Sequence, residues 1–222
     1  MSILFVLLTF LLILTVMYFR RPQADANVAQ VTPPKKVSAA APMLKLANFE
    51  VPHDYCFHPG HTWVLDEGRQ NARVGIDAFA GNLFGRIDSI ELAELNRWVR
   101  QGQPLCTITC EGRSVDLLSP VEGVLVSVNH EVAKSPNLVV EDPYRSGWLC
   151  MIKAPDIAIN VKNLLKGPIV LPWMQNCLLR LSGMVQQLTP ALAQDGGLPV
   201  KGLFSRVDAS VQAQLAREFL LT

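Results

Sequence analysis

Hydrophobic and polar positions divide the chain into four stretches of different period. From Met1 to Phe19 there is no charged side chain, and Ile3-Leu-Phe-Val-Leu-Leu-Thr-Phe-Leu-Leu-Ile-Leu-Thr-Val-Met-Tyr-Phe19 is apolar on every helical face. As a helix this run reaches roughly 26–28 Å, close to a bilayer core of about 30 Å. Arg20-Arg21 and Pro22 follow the run, whereas a cleaved signal carries its basic residues ahead of it. The pattern predicts an uncleaved transmembrane anchor over 1–21, with cleavage near Ala24–Ala29 as the alternative. Arg20, Arg21, Lys35 and Lys36 then place the body on the cytoplasmic side, giving a single-pass membrane protein attached through Met1 to Phe19.

Residues 22–48 show neither a helical nor a strand period and contain Pro22, Pro33, Pro34 and Pro42, which reads as a semi-extended linker. Between 49 and 155 short apolar runs are broken by Gly, Pro, Asn and Asp. The runs are Thr62–Leu65, Ala72–Ile76, Ile87–Leu92, Pro104–Thr109, Val115–Leu118, Gly123–Val128 and Gly147–Lys153. That spacing predicts a mainly β domain, a small sandwich or barrel. One helical turn interrupts it, with Asp77 as N-cap and Gly85 as stop.

Residues 156–222 change to a helical period, read as a C-terminal helical extension. Asp156 is placed to cap Ile157–Lys166, and Pro172 opens a helix running to Leu188. In that helix Trp173, Met174, Cys177, Leu178, Leu181, Met184, Val185 and Leu188 recur at three- and four-residue steps, making one broad apolar face. A last helix runs from Asp208 to Leu221 with Val211, Leu215 and Phe219 on one stripe. The favoured expectation is that these helices pack on the β domain or on each other. The alternative is that the face bearing Trp173 and Leu178 docks a partner.

Composition changes this picture in three ways. Half of the 222 residues are hydrophobic and 18% are charged, which excludes a disordered chain. The net charge of +1 conceals five basic residues against one acid in residues 1–45, so the remainder carries fifteen basic and eighteen acidic groups. A mildly acidic body does not gather phosphates, and no nucleic-acid partner is expected. The five cysteines are odd in number and irregular in spacing, which fits a reducing compartment.

Candidate chemistry is sparse. Cys106 and Cys110 lie on a predicted strand, where four residues put their sulfurs some 13 Å apart, too far for a disulfide. Cys106 is expected in the core, and Cys110, near a hairpin tip, is the one candidate for an exposed redox thiol. His53, Cys56, His58 and His61 match no zinc spacing, so no metal is expected. No phosphate-binding glycine loop, Gly-x-Ser-x-Gly or His-Glu-x-x-His is present, and nothing nominates an enzyme.

Several segments point further: Val51-Pro-His-Asp-Tyr-Cys-Phe-His-Pro-Gly-His-Thr-Trp63, Val74-Gly-Ile-Asp-Ala-Phe-Ala80 with Gly85, Gly102, Ser119-Pro-Val-Glu-Gly123, Val128-Asn-His-Glu-Val-Ala-Lys-Ser-Pro136, and Asp142-Pro-Tyr-Arg-Ser-Gly-Trp148. Together they resemble the H proteins of the glycine cleavage system, lipoyl domains of hammerhead type, over a little under half of the chain. The resemblance implies a β-hairpin whose tip lysine carries lipoate, the acceptor of the aminomethyl group released from glycine. Counting forward from Gly102 and back from Pro120 places Gly112 at that lysine, and no lysine lies between Lys45 and Lys134. Neither Gly112 nor the permanently protonated guanidinium of Arg113 can form the amide. Thr109 and Thr62 stand where the resemblance implies acids, whereas Asp116 and Gly123 are retained.

The expectation is therefore a degenerate H-protein-like module without lipoate: a membrane-tethered, non-enzymatic adaptor that binds a protein partner. Its candidate partner surface is Glu111, Gly112 and Arg113 at the tip, with Trp173 and Leu178 on the helix. The alternatives are a component or regulator of glycine cleavage or lipoate metabolism, and a thiol redox module through Cys110.

Overall fold

The computed structural model describes residues 43–46, 49–188 and 201–221. Eleven strands occur among them: β1 (Met43–Leu46), β2 (Phe49–Pro52), β3 (Cys56–Phe57), β4 (Thr62–Gly68), β5 (Asn71–Ile76), β6 (Ser89–Leu92), β7 (Trp98–Val99), β8 (Pro104–Cys110), β9 (Arg113–Leu118), β10 (Gly123–Val128) and β11 (Cys150–Lys153). They form three sheets: the pair β1-β2, a six-stranded sheet in the order β3-β4-β5-β11-β10-β7, and a three-stranded sheet β6-β8-β9. Every strand pairing described is antiparallel. Along β8, Cys106, Ile108 and Cys110 face the core while Thr107 and Thr109 are only half-buried, as the period-2 pattern requires.

The barrel, one of the two forms expected, is not found. None of the three sheets closes on itself: β3 and β7 remain the two edges of the larger sheet, and β3 meets only an isolated bridge from Phe57 to Leu165 on its free side. Helices are also more evenly spread than a mainly β fold with a helical tail. α1 (Ala78–Phe84), α2 (His130–Lys134) and α3 (Leu138–Glu141) lie between strands and help cover the sheets, so the architecture is mixed α/β.

α1 begins and ends where the sequence indicates. The Asp77 carboxylate accepts from Ala80 N at 2.9 Å, and the Gly85 N–H returns to the Gly81 carbonyl. The helix expected over Ile157–Lys166 stops early, giving α4 (Ile157–Asn160) and one 3₁₀ turn over Val161–Asn163. The cause is a competing pair of backbone bonds, Phe57 N to Leu165 O and Leu165 N to Phe57 O, both 2.8 Å. A second 3₁₀ turn, Gly167–Ile169, leads into α5 (Val170–Leu188), which starts two residues before Pro172. α6 (Leu203–Arg206) and α7 (Ala209–Leu215) follow, and a π turn over Ala216–Leu220 extends the latter.

The single-pass membrane tether is set aside. Met1 to Phe19 lies outside the described residues, and among the described residues no helix is long and apolar enough to cross a membrane. α5 has the length, but Gln175, Asn176, Arg180, Gln186 and Gln187 give it a polar face, while Met174, Cys177, Leu181 and Val185 are buried against the module. The expected membrane partner and membrane localisation are corrected with it, since none of the described residues supplies a spanning helix.

Candidate functional site

The hairpin of β8 and β9 is closed by Glu111 and Gly112, with register Cys110–Arg113, Thr109–Ser114, Ile108–Val115 and Thr107–Asp116. Both turn residues have positive φ, 49° and 73°, the signature of a two-residue turn whose twist matches its strands. Glycine relieves the strain at the second position, and a Cβ on Gly112 would meet nothing within 4 Å. The tip is therefore exposed and unobstructed.

Three side-chain links fix the hairpin. Thr107 Oγ1 donates to Asp116 Oδ1 at 2.7 Å, the Thr109 and Ser114 hydroxyls pair at 2.9 Å, and the Glu111 N–H donates to Asp88 Oδ2 at 2.5 Å. Thr62, buried in β4, donates its hydroxyl to Leu118 O at 2.9 Å and so ties the hairpin to the larger sheet. Arg113 extends from the tip and donates through Nη1 to the Val207 carbonyl at 3.0 Å.

Cys110 does not supply tip chemistry. It is fully buried, and burial, reinforced by the charges of Asp88 and Glu111, pushes its thiol up to about 12. The thiolate needed for exchange is then scarce at neutral pH, and this overturns the thiol redox alternative. The other thiols are unpaired as well, and burial likewise lifts Cys106 to about 12 and Cys177 to about 11. Among the described residues no cluster of His, Cys, Asp or Glu is placed to hold a metal ion. His58 instead accepts from the Gly60 N–H through Nδ1 at 3.0 Å.

A second constellation was not legible in the sequence. His61 is fully buried, and its Nδ1 lies 2.7 Å from Asp77 Oδ2, so one carboxylate both caps α1 and holds an imidazole. The imidazole is stacked between Phe79, at 4.1 Å and 18°, and Trp173, at 4.8 Å and 23°, with Phe219 6.4 Å away. Its Nε2 is buried without a hydrogen-bond partner. The two halves of the expected partner surface thus have separate engagements: Arg113 bonds Val207, whereas Trp173 packs on His61. Leu178 is half-buried against the core.

The motif Asp142–Trp148 also acquires a physical role. Trp63 Nε1 donates to Ile76 O at 2.6 Å and approaches Pro143 O at 3.2 Å, while Tyr55 donates its hydroxyl to Tyr144 O. Asn129 Nδ2 donates to the carbonyls of Ser146 and Trp148, both at 2.8 Å. These bonds fasten the loop ahead of β11 to β4, β5 and the start of α2.

A family model described as glycine cleavage H-protein matches residues 55–169, just over half of the chain. The chain belongs to the glycine cleavage H-protein family. The glycine cleavage system H protein of Aliivibrio fischeri is 38% identical over 103 residues, covering 46% of this chain and 82% of that protein. That of Thermus thermophilus is 33% identical over 108 residues, covering 49% and 84%. A crystal structure of a glycine cleavage system H protein from Mycobacterium marinum aligns with a TM-score of 0.44 at 25% identity, over 47% of this chain and 87% of that one. H proteins are non-catalytic carriers, and this chain is not an enzyme. Membership also corrects the expected function: it favours a part in glycine cleavage over the membrane-tethered adaptor.

Lipoate, the group the H-protein family implies, does not fit the tip of this chain. An amide to its carboxyl needs a primary amine, and the tip offers Glu111, Gly112 and a guanidinium already engaged with Val207.

Proposed function

We propose that the chain acts in glycine cleavage or lipoate metabolism as a component or regulator that presents an H-protein docking surface without carrying lipoate at its hairpin tip. The observation that carries this reading is a family hairpin whose turn is intact and whose tip lacks an amine: Gly112 stands where the resemblance places the lipoyl lysine. Such a chain can meet the proteins that recognise an H protein while contributing no swinging arm. Glu111, Gly112 and Arg113 are exposed at that surface.

The test is the intact mass of the chain purified from its own host, together with the identity of what co-purifies in near-stoichiometric amount. The expected result is an unmodified chain recovered with glycine decarboxylase, aminomethyltransferase or a lipoate-handling protein. A lipoyl increment on Lys134 or any other lysine replaces the regulator with a carrier. Recovery with none of those proteins removes the pathway.

A further inference from the structure

Residues 201–220 lie across one face of the module, and their anchors come from the hairpin tip, α1, the loop before β4 and α5, where Arg180 pairs with Glu218 and lies 5.6 Å over the Phe219 ring. The Gly202 N–H donates to Asn82 O at 2.9 Å. At Gly85 the backbones meet so closely that a Cβ there would sit 2.3 Å from Gly202 Cα. Phe204 meets Phe84 edge-on at 5.4 Å, and Phe219 lies 5.2 Å from Phe79. The Leu220 carbonyl covers Gly60, where a Cβ would come within 2.9 Å. Arg113 reaches over from the tip to Val207, the C-cap of α6, where backbone carbonyls lack intrahelical partners.

This closed arrangement is imperfect in one respect. Among the described residues the buried side-chain atoms without a hydrogen-bond partner belong to His61, Arg73 and Asn82. Two of these three adjoin the segment: Asn82 accepts the Gly202 N–H through its backbone carbonyl, and the His61 ring lies 6.4 Å from that of Phe219. The polar bonds that tie the segment to the rest of the module include Arg113 to Val207, Gly202 to Asn82 and the Arg180–Glu218 ion pair.

We propose that residues 201–220 are a displaceable cap bound in cis, with Arg113 as its latch. A protein that reads the tip through Arg113 competes with Val207 for the same guanidinium, so cap closure sets access to the surface proposed above. The proposal extends that functional reading, but its test contains no glycine cleavage component, so the two can fail separately.

The experiment is native-state hydrogen exchange on the full chain. Amides of 203–220 are expected to open together and to exchange roughly tenfold or more faster than those of β5 and β11. Arg113→Ala removes a charge-assisted hydrogen bond and is expected to speed cap exchange by about tenfold while leaving β5 and β11 unchanged. Exchange of 203–220 at the rate of β5 and β11 in the unaltered chain overturns the cap. So does an Arg113→Ala chain whose cap amides exchange no faster than before.

Discussion

The hairpin tip and the stack around His61 sit on the same module and are built by opposite means. The tip is six consecutive residues whose conformation follows from two positive φ angles and a short antiparallel register. The stack joins His61, Asp77, Phe79, Trp173 and Phe219, which share no local signal and meet only in the folded chain. A local turn tolerates replacement one residue at a time. A nonlocal aromatic stack depends on all its members, so substitutions there carry the larger effects. Phe219→Ala, at a fully buried side chain, is expected to cost about 3–5 kcal/mol in denaturant unfolding. A loss below about 1 kcal/mol, the range of surface changes, would break the comparison.

Asp77 sharpens it, because that residue belongs both to a local cap and to the nonlocal stack. Asp77→Ala removes the bond to Ala80 N at 2.9 Å and the His61 contact at 2.7 Å together. A lost cap costs about 1 kcal/mol, and stranding a buried partner adds about 1–3 kcal/mol. Asp77→Asn keeps an acceptor for the cap and is expected to lose less. Urea midpoints for the two variants separate the contributions; equal losses would mean that the cap adds nothing, and an Asp77→Asn chain as stable as the unaltered one would mean that the His61 contact adds nothing.

The same division explains what the sequence could say. The strands, the caps Asp77 and Gly85, and the hairpin turn were readable because each depends on neighbours within a few residues. The family was readable from contiguous motifs. Sandwich and barrel could not be told apart, because strand spacing does not say which edges meet, and here β3 and β7 stay apart. The early end of α4 was hidden because its competitor, Phe57, lies about a hundred residues upstream. Likewise nothing local announces that Asp77 Oδ2 finds His61, or that Arg113 finds a carbonyl far along the chain.

Thiol titration tests whether burial at the tip resembles burial beneath α5. Cys110 closes β8 and is held near 12, and Cys177 on α5 is held near 11, against an ordinary value of 9.0, in both cases chiefly by burial. Above pH 9 the unfolded chain gives up these protons while the folded chain keeps them, so stability falls as pH rises. The loss is fully absent below pH 9 and accrues up to the folded values. Each thiol contributes about 1.4 kcal/mol per pH unit within its window. Cys110→Ser is expected to flatten the pH 9–11 slope of unfolding free energy by about one thiol. An unchanged slope would show that Cys110 ionises as freely in the fold as outside it.

The smallest energetic change falls at the tip and carries the most functional information. Gly112→Lys introduces a side chain at φ 73°, which costs about 1 kcal/mol, into space where a Cβ meets no atom within 4 Å. The hairpin register and the links to Asp88, Asp116 and Ser114 do not involve the Gly112 side-chain position, so they should survive. The variant is therefore expected to fold and to present an amine at an exposed, fixed turn. Incubated with a lipoate ligase, lipoate and ATP, it should gain a lipoyl increment by intact mass, while the unaltered chain gains none. A folded Gly112→Lys chain that stays unmodified would mean that the tip has diverged in more than one residue. The threonines at 62 and 109 would then be the first positions to change, since they stand where the resemblance implies acids.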